Sequence, residues 1–314
     1  RWCKERQDYR PRFTHDQLLR ILTVALRRID AWFDAVRPDV LLAFVPVTFG
    51  EYLIWMVAQG RGVPTLYFYP TKIQNYMCWM DDFFGHPVNI VRAYHEYQAG
   101  LSDRWLGDAQ DYLAQVESGE IRHEGMVPIP GRVKTRRSRS SSFKLLRTEY
   151  EYWTTEVRND NHVESPLRLM WHRKVLSPLR RLRVNVSLRG KYLSRRNLES
   201  LSYVFYPLHA EPEVALSIHG RPYVNQIETL RNLARSLPAG MVVVTKEHPR
   251  SIGYHPPSYY EKLLRIPNVQ IADPFIESKD VISHAKAIAS VWSFVGFEGV
   301  LARKPVVSLG TPLY

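Results

Sequence analysis

Hydrophobic and polar positions follow two different periods in the first part of the chain. From Asp16 to Val36 the apolar residues recur at helical spacing, and Arg37-Pro38-Asp39 ends that pattern. The apolar run 40–45 then predicts a buried strand, residues 50–59 an apolar helix, and residues 63–68 a second strand. Because a strand, a helix and a strand follow in this order, we expect two neighbouring parallel strands.

A second alternation of the same kind begins at Tyr203. The pattern predicts strands at 203–208, 241–245, 269–271 and 287–289, and helices at 225–237, 259–265 and 278–284. The stretch between the two alternations is interpreted as helical, at 89–117 and, with loops, at 143–198. We therefore expect an α/β protein with two sheets, whose ligands bind at the carboxyl ends of the strands.

The excess of basic over acidic residues is confined to one segment of the chain. The net charge is +12, yet residues 131–196 hold 18 Lys and Arg against 5 Asp and Glu, and the rest of the chain has a net charge of −1. Because this charge lies in one helical segment, we expect no nucleic-acid partner. Two interpretations stay open, contact with an anionic membrane surface and an ordinary solvated helical face.

Length and cysteine content limit the class of protein. A chain of 314 residues favours two domains, and it contains neither an apolar run of membrane-spanning length nor an apolar core after Arg1. Cys3 and Cys78 are too few for a disulfide framework or a zinc site, so we expect free thiols. We predict a cytoplasmic location, peripheral at the inner membrane face. The chain begins without Met and ends at Tyr314, which we interpret as a fragment.

Two motifs follow predicted strands and together indicate a site for an anionic ligand. Lys246-Glu247-His248-Pro249 follows the strand 241–245, and Ser290 to Gly299 follows the strand 287–289 and opens a helix. Backbone N–H groups at a helix N-terminus bind phosphate, and Glu298, early in that helix, is placed for a ribose diol. The predicted nucleotide-binding residues are Lys246, His248, Pro249, Ser290, Ser293, Phe294 and Glu298.

Structural roles explain the same residue types equally simply. A histidine at a strand end is often structural, serines often only form turns, and Glu298 would also complement the helix dipole. The sequence pattern alone leaves both interpretations open.

Candidate catalytic carboxylates follow the strand 203–208. Glu211 and Glu213 are two residues apart, so in an extended backbone both side chains point the same way, and either acid–base or nucleophilic catalysis needs such a group. His209 is a candidate supporting acid or base. Glu51, after the first strand, is a weaker candidate. Asp81 and Asp82 lack a third ligand at usable spacing, so we expect no metal.

The second half of the chain resembles the bacterial capsule polysaccharide biosynthesis proteins, which include transferases of 3-deoxy-manno-octulosonic acid (Kdo). The resemblance rests on the motifs 206–213, 246–249, 267–269, 293–299 and 304–307. It implies a GT-B fold, a nucleotide-sugar donor and a metal-independent mechanism without a cofactor. It also implies a donor carrying CMP, through His248-Pro249, and a catalytic carboxylate at Glu213, where relatives often have Asp.

These expectations give one organisation for the chain. We predict a GT-B-like α/β fold with two Rossmann-like domains facing a cleft, at 1–130 and 199–314, separated by a basic helical segment at 131–198. The expected function is transfer of Kdo or a related ulosonic acid from a CMP-activated donor to a glycan or glycolipid acceptor of capsule or surface polysaccharide. Two alternatives remain, a teichoic-acid-type polyol-phosphate transferase that releases CMP and a non-catalytic glycan-binding subunit of an assembly complex.

Overall fold

The computed structural model describes most of the chain and divides it into two compact units. The described residues are 13–45, 47–71, 73, 76–97, 103–118, 147, 150, 151, 154, 171–211, 213, 215–249 and 251–312. The first unit comprises Arg1–Tyr9, Val127–Glu213 and Asn225–Ala289, and the second comprises Arg10–Met126, Val214–Val224 and Ser290–Tyr314.

The helices and strands alternate along most of the described chain. The helices are α1 His15–Val36, α2 Phe49–Gly60, α3 Val88–Tyr97, α4 Asp103–Ser118, α5 Ser177–Ser187, α6 Arg195–Ser200, α7 Gln226–Ser236, α8 Pro257–Leu264, α9 Ser278–His284 and α10 Phe294–Leu301. The strands are β1 Leu41–Phe44, β2 Thr65–Pro70, β3 Met77–Met80, β4 Tyr192–Leu193, β5 Tyr203–Pro207, β6 Val242–Lys246, β7 Val269–Ala272, β8 Ala287–Ser290 and β9 Val306–Ser308. Two π-helical turns, His172–Leu176 and Ala215–His219, and a 3-10 turn, Arg221–Tyr223, complete the described elements.

The first unit is built on a parallel sheet. Within this unit the strand order is β4-β7-β6-β5-β8, and β5 runs parallel to both β6 and β8. All five residues of β5 are buried, and four of the five residues of β6 are buried as well. Strands without an exposed face are typical of a parallel sheet covered by helices on both sides. Here α7 packs against β6, and α8 packs against β7.

The second unit contains a small mixed sheet with an aromatic core. β1 and β2 pair in parallel, and β3 pairs antiparallel with β2. Tyr67, Tyr69, Met80 and Phe83 form the buried centre, each no more than 2% exposed. The ring of Tyr52, from α2, lies 5.2 Å from that of Phe83 at an interplanar angle of 68°. Edge-to-face packing of this kind stabilises aromatic cores beyond the area that they bury.

The α/β class and the parallel sheet that the sequence predicted are confirmed. The antiparallel strand β3 was not predicted from the hydrophobic pattern. The helix expected over 89–117 is two helices, α3 and α4. Placement of two domains around a cleft, and the domain boundaries at 130 and 198, stay predictions.

The basic segment 131–196 lies largely outside the described residues. Its described part, from residue 171 onwards, contains a π-helical turn, helix α5, β4 and the start of α6. Within the described ranges, none of the helices combines the length and the apolarity needed to cross a membrane.

The second unit is tightly packed around Gly220, which leaves no space for a side chain there. A Cβ atom at Gly220 would lie 2.1 Å from Cγ1 of Val291 and 3.0 Å from the carbonyl oxygen of Ala215, whereas a Cβ at Gly107 would meet no atom within 4 Å. We expect Gly220→Ala to lower the free energy of unfolding by about 1–3 kcal/mol through overpacking. Gly107→Ala, in a helix, should be neutral or stabilise by up to about 1 kcal/mol. Equal denaturation midpoints for the two variants would contradict the packing.

Candidate functional site

The carboxyl ends of β5 and β6 leave the sheet of the first unit side by side. Pro207 pairs with Lys246 at the last position of the parallel register, and the N–H of Leu208 donates to the carbonyl oxygen of Lys246 over 2.9 Å. The segments that follow, residues 208–213 and residues 247–249, therefore start at the same edge of the sheet. This edge is where open α/β sheets bind ligands.

Gln226 holds the segment after β5 in place. It is the first residue of α7, which Asn225 caps by accepting from the N–H of Glu228, and it is 1% exposed. Its amide oxygen accepts from the N–H of His209 over 2.8 Å, and its Nε2 donates to the carbonyl oxygen of His209 over 3.0 Å. The side chain thus satisfies both backbone groups of His209, as a neighbouring strand would.

The same amide group orients a predicted catalytic carboxylate. Nε2 of Gln226 also donates to Oε1 of Glu211 over 2.5 Å. Gln226 was not predicted as part of the site, because the sequence pattern placed it only at the beginning of a helix. The available signal was a long polar residue directly after a helix cap, at a position that faces the sheet.

His209 and Glu213 form a pair beyond the end of β5. Nδ1 of His209 lies 3.4 Å from Oε2 of Glu213, and the two side chains are 6% and 46% exposed. Nε2 of His209 is buried and has no hydrogen-bond partner among the described residues. One carboxylate oxygen of Glu213 therefore contacts His209, whose backbone is held by Gln226. Nearly half of the Glu213 side chain remains exposed and accessible to a ligand.

A second carboxyl group is buried behind this edge. Glu247 is 4% exposed and accepts a hydrogen bond from the hydroxyl of Tyr260. The pKa of Glu247 is raised to about 8, chiefly by burial, while the hydrogen bond from Tyr260 lowers the pKa and the charge of Glu211 makes a smaller upward contribution. Burial also lowers the pKa of His255, which stacks on Tyr259 with ring centroids 4.0 Å apart. Burial is thus the main cause of the pKa shift in both groups, and the charge of Glu211 raises the pKa of each by a smaller amount.

The structure places the three predicted residues of the 246–249 motif in different environments. Lys246 is buried, and its Nζ donates to the carbonyl oxygen of Ile276 over 2.9 Å. His248 is exposed and Pro249 is half-buried, directly beyond the end of β6. The position of His248 leaves its ring accessible to a ligand at the sheet edge. The predicted contacts of all three residues with a nucleotide stay predictions.

The other predicted nucleotide-binding residues lie in the second unit. Ser290, the last residue of β8, is fully buried, and its carbonyl oxygen accepts from the N–H of Leu309 over 2.8 Å. Ser293 is the N-cap of α10, and its hydroxyl accepts from the N–H of Val295 over 3.1 Å. Phe294 is the first residue of this helix, and Glu298 is buried in it at 7% exposure. The cap confirms that the motif opens a helix.

Trp292 has a packing role beside this turn. Its ring stacks on that of His219 with centroids 4.2 Å apart and an interplanar angle of 11°. Nδ1 of His219 lies 2.6 Å from the carbonyl oxygen of Phe84, which belongs to the aromatic core of the second unit. The turn that opens α10 is thus anchored to that core.

Glu51, the weaker catalytic candidate, is committed to a helix cap. Its Oε2 accepts from the N–H groups of Val47 and Thr48 over 2.7 and 2.6 Å, and the hydroxyl of Thr48 accepts from the N–H of Glu51 over 3.2 Å. This reciprocal arrangement is a capping box, which stabilises the start of α2. Two backbone N–H groups just before the helix thus depend on the carboxylate of Glu51, which gives this residue a structural role. A catalytic role for Glu51 stays a prediction.

No metal site emerges from the parts of the chain that the structure describes. In those parts, no group of three or more His, Cys, Asp and Glu side chains is arranged to hold an ion. Asp82 instead binds His86, with 2.8 Å between Oδ2 and Nδ1.

The raised pKa of Glu247 predicts a dependence of stability on pH. The folded chain keeps this proton up to about pH 8, whereas the unfolded carboxyl loses it near its usual 4.5. The folded state binds more protons in this window, so Glu247 makes stability fall as pH rises from about 4.5 to about 8. We expect Glu247→Gln to gain melting temperature relative to the original chain between pH 5 and pH 8.

The exposed residue Glu277 provides the control for this measurement. Glu277→Gln should keep the pH dependence of the original chain. Parallel melting curves against pH for the original chain and Glu247→Gln would show that Glu247 is ionised in the folded state.

Comparison with known proteins finds one family and several partial relatives. Residues 170–314 match the family described as capsule polysaccharide biosynthesis protein. Protein FixF of Sinorhizobium fredii is 32% identical over 120 residues, which cover 36% of this chain and 27% of FixF. The chain thus spans only 27% of the length of this curated relative.

Solved structures give weaker likenesses. The β-Kdo 2,7 transferase KpsC of Thermosulfurimonas dismutans is 23% identical, with 45% of this chain and 43% of that chain covered and a TM-score of 0.31. The β-Kdo 2,4 transferase KpsC of the same organism is 13% identical, with 88% and 70% covered and a TM-score of 0.35. UDP-GlcNAc 2-epimerase of Neisseria meningitidis is 13% identical, with 96% and 66% covered and a TM-score of 0.27.

These TM-scores are low, so the fold rests on the strands and helices observed in the chain itself. The family match is the stronger finding, because it covers a continuous region that includes both strand-end motifs and the His209–Glu213 pair. Over residues 170–314 the chain is therefore similar to the capsule polysaccharide biosynthesis proteins.

Proposed function

We propose that the chain is a glycosyltransferase that moves Kdo or a related ulosonic acid from a CMP-activated donor to a glycan or glycolipid acceptor. The observation that carries this proposal is one sheet edge at which the His209–Glu213 pair and His248 follow adjacent parallel strands. The match of residues 170–314 to the capsule polysaccharide biosynthesis proteins supports a polysaccharide product.

The donor half of the reaction needs groups that stabilise a leaving phosphate. When the bond between the anomeric carbon and the phosphate oxygen breaks, negative charge develops on CMP, and nearby cations or oriented N–H groups lower the barrier. His248 is exposed beyond β6 and is suited to this task. Considered by itself, the second unit offers another candidate for binding an anion, the N-terminus of α10 capped by Ser293, since helix N-termini bind phosphate in other proteins.

The acceptor half of the reaction needs a base. In the proposed step, Glu213 takes the proton of an acceptor hydroxyl while the hydroxyl oxygen forms a bond to the anomeric carbon and CMP departs with the electron pair. His209 positions Glu213 through the contact of Nδ1 with Oε2. Gln226 fixes the backbone of His209, so the position of the base depends on α7.

The remaining parts of the proposal concern cofactors and location. The proposed chemistry uses neither a redox cofactor nor a metal, because a protonated histidine such as His248 supplies positive charge to the leaving phosphate. As part of this proposal, the chain works in the cytoplasm at the inner membrane face. The excess of basic residues over 131–196 supports contact with an anionic surface.

Binding of CMP is the first test. We expect CMP, but not UDP, UMP or GDP, to raise the melting temperature, since a ligand at about 100 times its dissociation constant stabilises by about 2.7 kcal/mol. His248→Ala should reduce the shift caused by CMP, because it removes the donor to phosphate. His95→Ala replaces another exposed histidine, on α3, and should keep the full shift.

Two results would contradict the donor assignment. One is an unchanged affinity for CMP in folded His248→Ala, and the other is a larger shift with UDP than with CMP. Analysis of the product separates the transferases that release CMP, because a polyol-phosphate transferase leaves phosphorus in the acceptor and a sugar transferase does not. A chain that binds CMP yet never releases it from an activated donor would be a non-catalytic subunit.

Turnover of the two carboxylate variants is the second test. Glu213→Gln keeps the size of the side chain but removes its charge, so turnover should fall by about 10²–10⁴ while CMP binding survives. Glu211→Gln should cost less, because Glu211 is held by Gln226 and acts on buried groups rather than on the acceptor. A larger loss in Glu211→Gln than in Glu213→Gln would reverse the two roles, and unchanged turnover in both would place the base elsewhere.

A further inference from the structure

Helix α5 presents one apolar face to the first unit and another to solvent. Val184, within the helix, and Leu188, just after it, are fully buried, and Nε of Arg181 donates to the carbonyl oxygen of Ile252 over 3.2 Å. Leu179, Leu182 and Val186 are 44%, 58% and 66% exposed. At about 100° per residue, these three side chains share a sector of about 60° on the side opposite Val184.

The charge around this exposed stripe has one sign. Residues 171–191 contain seven basic residues and no acidic residue. The basic residues are Arg173, Lys174, Arg180, Arg181, Arg183, Arg189 and Lys191. At about 100° per residue, Arg183 borders the stripe about 40° from Leu179. Arg180 lies about 100° from Leu179, still within about one screening length of a surface on which the stripe would rest. A helix that is merely solvated would not need three exposed aliphatic side chains on one face.

We propose that α5 binds an anionic membrane surface, lying in the plane of the interface with Leu179, Leu182 and Val186 among the lipid headgroups. An apolar stripe bordered by cations is the pattern of interfacial helices, in which both the buried aliphatic groups and the attraction to anionic lipids contribute. The opposite face stays anchored to the first unit through Val184 and Leu188. A polyanionic glycan would use the arginines but would gain nothing from the stripe.

Flotation with lipid vesicles tests both contributions separately. The protein should float with vesicles of phosphatidylcholine that contain phosphatidylglycerol, and it should not float with vesicles of phosphatidylcholine alone. Binding should weaken with added salt, because the electrostatic screening length falls from about 10 Å at 0.1 M salt to about 3 Å at 1 M. Leu182→Ser with Val186→Ser should weaken partitioning at least about tenfold. Arg180→Gln with Arg183→Gln should weaken it by about fivefold for each arginine.

Matched controls use exposed residues of the second unit. Val224→Ser with Val307→Ser removes two valines that are 47% and 55% exposed, and Arg27→Gln with Arg28→Gln removes two exposed arginines of α1. Both controls should leave partitioning unchanged, and circular dichroism checks that every variant is folded.

Three outcomes would overturn the membrane assignment. The first is no flotation with anionic vesicles at low salt, and the second is flotation that the serine variant leaves unchanged. The third is binding to dextran sulfate that is lost in the arginine variant while vesicles are ignored, which would identify a polyanion site. Because CMP binding is measured separately, failure here would leave the proposed transfer reaction standing.

Discussion

The parallel pairing of β5 with β6 is the constraint on which the candidate site depends. Five consecutive pairs, from Tyr203 with Val242 to Pro207 with Lys246, fix the register of the two strands. A shift by one residue would turn every side chain of β5 to the opposite face, and the complete burial of this strand resists such a shift. Because the register is fixed, the segments that carry His209 and His248 must emerge next to each other.

Beyond the end of β5, the side chain of Gln226 makes the backbone hydrogen bonds that a neighbouring strand would otherwise make. Hydrogen bonds of β5 with β6 stop at Leu208, and the next backbone groups, those of His209, would be buried without partners. Gln226 supplies one acceptor and one donor to them, and the carboxylate of Glu211 shares its donor. An unsatisfied buried backbone group costs about 1–3 kcal/mol, so the position of this loop follows from satisfying His209. The geometry of the catalytic candidates is therefore set by α7 as much as by β5.

Much of the first unit could be predicted from the sequence because its signals are local. The β-branched run ending at Lys246 and the amphipathic pattern of α7 each depend on neighbouring residues alone, and both were predicted to within one or two residues. The capping box of Thr48 and Glu51 was also readable locally, since the two residues are three apart at a helix start, but it was not predicted.

The interactions that define the site connect distant parts of the chain, which is why the sequence did not reveal them. Gln226 reaches back 17 residues to His209, and Tyr260 reaches back 13 residues to Glu247. Neither residue type is unusual at its position, and only the folded chain shows that each is buried against a group in need of a partner. Strand β3 was missed similarly, because its pairing with β2 depends on a turn that the hydrophobic pattern does not mark.

The turn at Ser293 shows that a structural role and a ligand-binding role are compatible. As the N-cap of α10, its hydroxyl oxygen accepts from the N–H of Val295. A hydroxyl has two acceptor lone pairs and one hydrogen, so capping uses the oxygen and does not use the hydrogen as a donor. The same cap fixes the direction of the helix axis, and with it the direction of the dipole that favours an anion at this end. The structural explanation of Ser293 therefore does not compete with phosphate binding; it supplies the rigid helix start that such binding requires.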